Sequence, residues 1–131
     1  MTTDRSILLC DDEVEIAEEL AELFESFGWR VRLCHSAAAA KRILLEAMQP
    51  HCLITDLRLD DADGTSLVAF ARGLPENLRP KLHAIMTGYV VDDTTAEDLG
   101  VDALYLKPVD PFVLIDDIEK RLAKRGEPGS S

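Results

Sequence analysis

The sequence predicts a doubly wound α/β domain built on a parallel five-stranded sheet. Three observations carry this. First, short and almost wholly apolar runs recur, at residues 7–10 (Ile-Leu-Leu-Cys), 52–54 (Cys-Leu-Ile) and 82–87. Runs of that kind suit strands buried on both faces, as in a parallel sheet. Second, segments with helical periodicity lie between them, and a β-α alternation with right-handed crossovers places helices on both faces. Third, polar residues stand at the ends of these runs: Asp11, Asp12, Asp56, Thr87 and Lys107. Ligands bind beyond the carboxyl ends of the strands in open α/β sheets.

The elements follow in order. The first strand, 7–10, runs into Asp11-Asp12-Glu13, and the first helix presents Ile16, Leu20, Leu23, Phe24 and Phe27 along one face, with acidic residues opposite. Gly28 ends it. Residues 30–34 alternate polar and apolar, the pattern of a half-exposed strand at a sheet edge. Ser36 caps the second helix, whose inward face is Ala40, Ile43, Leu44 and Ala47, and Pro50 stops it. The third strand ends at Asp56, and Gly64 permits a tight turn before a short third helix over 66–72. Pro75, Asn77 and Pro80 make 74–80 a loop. The fourth strand covers 82–87, a weakly periodic fourth helix lies around 93–99, and the fifth strand covers 103–106. Asp110 caps the fifth helix with Pro111 at its first position, and Phe112, Ile115, Ile118 and Leu122 face inward.

With 131 residues and 47% hydrophobic content, the chain reads as one folded domain over 1–125 and a polar tail over 126–131. Its 14 Lys and Arg against 25 Asp and Glu give a net charge of −11. That balance argues against direct nucleic-acid binding and against anionic membrane surfaces. It suits a carboxylate site for a divalent cation. Cys10, Cys34 and Cys52 are odd in number and unevenly spaced, and read as buried free thiols of a cytoplasmic protein. The N-terminal apolar run is too short for a signal peptide or membrane span.

If strands one, three, four and five are neighbours, Asp11, Asp12, Asp56, Thr87 and Lys107 converge. Clustered carboxylates repel one another unless a cation neutralises them, and Mg²⁺ suits such oxygen ligands. Asp56 is then a possible nucleophile for phosphoryl transfer, with Lys107 and Thr87 placed to meet phosphoryl oxygens. Taken singly, each has a plainer role. Asp56 could terminate a strand, Asp12 with Glu15 could form a capping box, Thr87 could be a loop hydroxyl and Lys107 a surface lysine. His35, His51 and His83 lack metal-ligand spacing and read as structural or surface residues, and Trp29 as a packing residue at the opposite end of the sheet.

Taken together, the motifs Ile-Leu-Leu-Cys-Asp11-Asp12-Glu13, Asp56 to Gly64, Met86-Thr87-Gly88 and Leu106-Lys107-Pro108 resemble those of response-regulator receiver domains of bacterial two-component signalling. The resemblance covers nearly the whole chain. It implies a flavodoxin-like sheet of order 2-1-3-4-5. It implies a signalling module rather than an enzyme, whose Asp56 accepts a phosphoryl group from a histidine kinase or phosphotransfer protein and thereby switches binding of a downstream protein. It implies Mg²⁺ held by Asp12, Asp56 and the backbone carbonyl of Arg58, with Asp11 acting through water, and Thr87 and Lys107 contacting the phosphoryl oxygens. Pairing of copies through the face of helix four, strand five and helix five also occurs in such domains.

Two positions depart from that pattern. Asp60 replaces the usual proline, which predicts a looser, more acidic loop after Asp56, and Leu104 replaces the usual aromatic residue three before Lys107. Three other readings compete. A haloacid-dehalogenase-type phosphatase needs a second aspartate where Arg58 stands. An FMN-binding flavodoxin needs a phosphate-cradling loop where Asp11-Asp12-Glu13 would repel phosphate. A phosphorylation-independent interaction module is opposed by the intact Asp56, Thr87 and Lys107.

Overall fold

The structure, a computed structural model, describes residues 5–46, 49–88 and 95–125. The elements run β1 (Ser6–Cys10), α1 (Val14–Ser26), β2 (Arg30–Cys34), α2 (Ala37–Leu44), β3 (Cys52–Asp56), α3 (Gly64–Arg72), β4 (Leu82–Thr87), α4 (Ala96–Leu99), β5 (Ala103–Leu106) and α5 (Pro111–Lys124). The strands form one sheet of order β2-β1-β3-β4-β5, every pair parallel. This is the predicted doubly wound fold, and β2 occupies an edge as its alternation required.

Successive side chains along a strand point to opposite faces, so the central strands feed two cores. Ile7, Leu9 and Ile54 pack beneath α1 and α5 with Phe24, Ile115 and Ile118, while Leu8, Leu53 and Ile85 pack beneath α2 and α3 with Leu44 and Leu67. All five residues of β1 and all six of β4 are buried, which explains their unbroken apolar runs. Cys10, Cys34 and Cys52 are buried free thiols, as expected.

The inward faces of two helices differ from expectation. Helix α1 buries Ala17, Leu20, Ala21 and Phe24, whereas Ile16 is 54% and Phe27 47% exposed. The two alanines let the helix lie close to the sheet, and that turns the larger flanking side chains outward. Helix α5 likewise buries Leu114, Ile115, Ile118 and Leu122 and leaves Phe112 59% exposed. Phe27 and Phe112 cover one another instead, ring centroids 6.0 Å apart and edge to face. Trp29 packs edge-on against Phe24 at 5.3 Å and donates Nε1–H to Glu119 Oε2 at 3.1 Å, so its role is packing.

Capping also divides. Ser36 Oγ accepts from the Ala39 amide, and Asp110 Oδ1 accepts from the Phe112 amide, as read from the sequence. The Asp12–Glu15 box does not form: α1 is preceded by Glu13, which makes no side-chain cap. Helix α3 starts at Gly64 rather than 66. Helix α4 spans four residues, opened by a Thr95–Asp98 capping box and closed by Gly100 at φ 72°. Positions 93 and 94 of that expected helix, Ala47 of the expected α2 face, and the tail 126–131 lie outside the described residues.

Candidate functional site

The strand-end residues meet because three parallel neighbours, β1, β3 and β4, end together. Asp56 closes β3 opposite Met86, and Thr87 closes β4 one residue further. The amide of Lys107, just past β5, donates to the Thr87 carbonyl at 2.8 Å, which ties the β5 exit to β4. The Lys107–Pro108 peptide bond is cis. The Lys107 ammonium stands among three carboxylates: 3.0 Å from Asp11 Oδ2, 2.9 Å from Glu13 Oε1 and 3.1 Å from Asp56 Oδ2.

Asp11 is 1% exposed, so both its oxygens need partners. One accepts from Lys107 and the other from the Glu13 amide at 2.9 Å. Asp11 is anchored at its backbone as well: its amide donates to the Cys34 carbonyl, and its carbonyl accepts from His35 Nδ1 at 2.8 Å. Asp12 carries its side chain beside these groups. One oxygen from each of Asp11, Asp12 and Asp56 lies within 4.8 Å of the others, a spacing one small cation could span.

The electrostatics agree with that geometry. Burial, then the charges of Asp60 and Asp56, push the Asp12 carboxyl above its ordinary pKa. Burial also raises Asp56, and it outweighs the opposing Lys107 ammonium. Burial works against the charge of Lys107, but hydrogen bonds to Glu13 and Asp11 hold its pKa above that of an ordinary lysine. The site is therefore short of positive charge even with Lys107 in place.

The loop after Asp56 is not loose. Asp61 reaches across to α2, where its two carboxylate oxygens accept from the amides of Ala37 and Ala38 at 2.9 and 3.0 Å. Those two bonds lower the Asp61 pKa. Arg58 bridges Asp63 in antiparallel fashion, and Leu59 is buried. Asp60 thus sits in a loop held at both sides. The cap was hidden in the sequence because its partners lie 24 residues away. Gly64 was assigned to a turn, yet its role is close approach: a Cβ there would lie 2.2 Å from the Asp56 carbonyl oxygen. The Glu13–Lys107 pair was also missed.

Leu104 and Tyr105 point to opposite faces, with β5 in unbroken register against β4. Leu104 packs on the α2–α3 side, whereas Tyr105 packs on the α1–α5 side and donates to Asp117 Oδ2 at 2.5 Å. A cavity of about 480 Å³ adjoins the carboxylates, walled by Ile16, Leu20, Met86, Lys107 and Pro108.

A doubly wound sheet with clustered acids and a lysine at its carboxyl edge defines a receiver architecture. Residues 7–119 match the model of the response regulator receiver domain, and the chain belongs to that family. It is 30% identical over 128 residues to the photosynthetic apparatus regulatory protein RegA of Rhodobacter capsulatus, covering 95% of this chain and 65% of that protein. It is 28% identical to the acid tolerance regulatory protein ActR of Rhizobium meliloti, covering 95% and 63%. The chain thus spans just under two thirds of these relatives' length. Among solved structures, a CheY-like receiver domain protein from Methanospirillum hungatei superposes with a TM-score of 0.82 at 24% identity, covering 97% of this chain and all of that one. A response regulator from Burkholderia pseudomallei, with a phosphorylated aspartic acid, calcium ion and citrate, gives 0.73 at 25% identity, covering 93% and 75%. Among the described residues, no helix is long and apolar enough to cross a membrane.

Proposed function

We propose that Asp56 is the phosphoacceptor of this receiver domain and that Asp12, Asp56 and the Arg58 carbonyl hold Mg²⁺, with Asp11 acting through water. The observation that carries this reading is the joint placement of Asp56 against the Lys107 ammonium and within cation-spanning distance of Asp11 and Asp12. The phosphorylated aspartic acid and calcium ion of the Burkholderia pseudomallei protein support it. An Asp56 carboxylate oxygen attacks the donor phosphorus, forming an acyl phosphate P–O bond as the P–N bond of a phosphohistidine breaks. Lys107 and Thr87 meet the phosphoryl oxygens. Mg²⁺, when bound, neutralises charge on those oxygens and on the carboxylates.

The phosphodonor is a histidine kinase or phosphotransfer protein in the cytoplasm. The exposed Val14 and Ile16, beside the cavity next to Lys107, give it an apolar landing at the mouth of the site. Signalling then runs to a downstream protein, with pairing through the α4–β5–α5 face part of the same proposal.

The test is incubation with a small phosphodonor such as acetyl phosphate and Mg²⁺, followed by intact mass. One labile phosphoryl group should add to the parent and none to Asp56→Asn. An Asp56→Asn protein modified as fully as the parent would refute the assignment.

Switching should take an altered route. Tyr105 is tethered to Asp117 on the α1–α5 side, and Leu104 fills the other side without a polar tip. Beryllofluoride, which stands in for the phosphoryl group, should shift the signals of Thr87 and leave the Tyr105 ring almost unmoved in NMR spectra. A large Tyr105 ring shift that disappears in Thr87→Ala would overturn this route.

A further inference from the structure

We propose that the opposite pole of the sheet, where the strands begin, holds a second site, one for a small phosphate-bearing anion. A cavity of about 740 Å³ opens there between the end of α3, the loop before β4 and the end of α5. Four cationic side chains line it, Arg72, Arg79, Lys81 and Arg125, against two carboxylates, Glu76 and Asp102. An excess of positive charge is notable in a chain whose net charge is −11.

The cations are organised rather than scattered. Asp102 is the hub: its carboxylate accepts from the His83 amide at 2.8 Å and from Arg125 Nη2 at 3.0 Å, and Arg72 stands 3.6 Å away. Burial alone would raise the Asp102 pKa, but the His83 bonds and the two arginines hold it well below the usual carboxylate range. Arg79 donates Nε–H and Nη2–H to the Leu74 carbonyl, which fixes the plane of its guanidinium.

Helix C-termini attract cations, so Arg72 and Arg125 also serve the ends of α3 and α5. That duty does not explain His83. Its ring is 3% exposed and lines the cavity, with Nδ1 3.7 Å from Asp102, and its buried Nε2 has no hydrogen-bond partner among the described residues. A buried imidazole nitrogen normally has one. An anion entering the cavity supplies the missing partner, accepting Nε2–H from the imidazolium or donating its own proton to the neutral ring. Arg72, beyond hydrogen-bond length from Asp102, is the guanidinium best placed to turn toward it. Guanidinium forks match phosphate oxygens in pairs, and a tetrahedral dianion offsets the two surplus charges.

The same group could arrive as inorganic phosphate or as a phosphate monoester, and the volume admits either. The experiment titrates ¹⁵N-labelled protein with inorganic phosphate and, separately, with glycerol phosphate, without Mg²⁺ and at ionic strength held constant with chloride. Saturable shifts of the His83 ring nitrogens together with amides of residues 72–83 and 125 are expected with one or both ligands. A stronger response to glycerol phosphate would identify the monoester as the preferred source. Arg72→Gln with Arg125→Gln should weaken binding by roughly tenfold or more, the size of one charge-assisted hydrogen bond. Lys81→Gln gives a second variant should that pair impair folding, and it too should weaken binding. Non-saturating shifts equal to those of chloride, a His83 ring that does not respond, or binding unchanged in both variants would overturn the site.

Discussion

Gly64→Ala is expected to destabilise the protein by about 1–3 kcal/mol or more, the cost of overpacking a filled interior, and to slow phosphorylation of Asp56. The added Cβ would lie 2.2 Å from the Asp56 carbonyl oxygen, 3.1 Å from the carbonyl carbon and 3.1 Å from Thr55 Cγ2. The first of these is backbone, so no side-chain rotation relieves it. The carbonyl is also committed to the Thr55 hydroxyl at 2.9 Å, and the Gly64 amide donates to the Leu57 carbonyl at 2.6 Å. Either α3 retreats or Asp56 moves, and a moved Asp56 leaves its 3.1 Å contact with Lys107. Gly73→Ala is the control. Its Cβ would meet two carbonyl oxygens at 3.5 Å, ordinary contact. At the end of α3 it should be neutral or stabilising by a few tenths of a kcal/mol, up to about 1. Urea denaturation of both variants, with phosphorylation rates from small phosphodonors, makes the comparison. Equal stabilities for the two would show that Gly64 is not there for close approach.

The contrast between these two glycines shows where sequence reading reaches its limit. Strand positions, sheet order and the meeting of Asp11, Asp12, Asp56, Thr87 and Lys107 were legible because they follow from local patterns and one topological rule. The β2 edge was legible from its alternation. The facing of α1 was not, because alanine carries little hydropathy and yet decides how closely a helix approaches a sheet, so Ala17 and Ala21 took the places given to Ile16 and Phe27. The same bias put Phe112 inside α5. What joins residues far apart in the chain was also invisible: Asp61 holding the start of α2, Glu13 reaching Lys107, and Asp102 gathering His83, Arg72 and Arg125. An acidic stretch in sequence does not say which carboxylate caps a helix and which faces a metal. In this loop Asp61 does the first, and Asp60 adds charge beside Asp12.

Mg²⁺ at about a hundredfold excess over its dissociation constant is expected to raise the unfolding free energy at neutral pH by about 2.7 kcal/mol, and Asp12→Ala should remove most of that gain. The pH dependence identifies the site. Asp12 and Asp56 have pKa values raised above their unfolded values. Their contribution therefore favours folding below the unfolded carboxylate pKa, near 4, and is lost as pH rises through the folded values. Asp61, Asp102 and Asp117 are lowered, and their contribution runs the other way, present above the unfolded pKa and lost as pH falls. The stability curve of the apo protein mixes both groups, but the difference with and without Mg²⁺ isolates the first. The metal takes deprotonated carboxylates, so the increment should be small near pH 4 and grow as Asp12 and Asp56 ionise. Asp60→Asn should shift that growth to lower pH, because the Asp60 charge is one of the groups raising Asp12. Without Mg²⁺, Asp12→Ala should hold or gain stability, since it relieves repulsion and α1 has no side-chain cap to lose. Thermal or urea unfolding across pH 4–8, with and without Mg²⁺, reads all of this. An increment in Asp12→Ala equal to the parent's would remove Asp12 from the metal site, and one independent of pH would place the ion away from these carboxylates altogether.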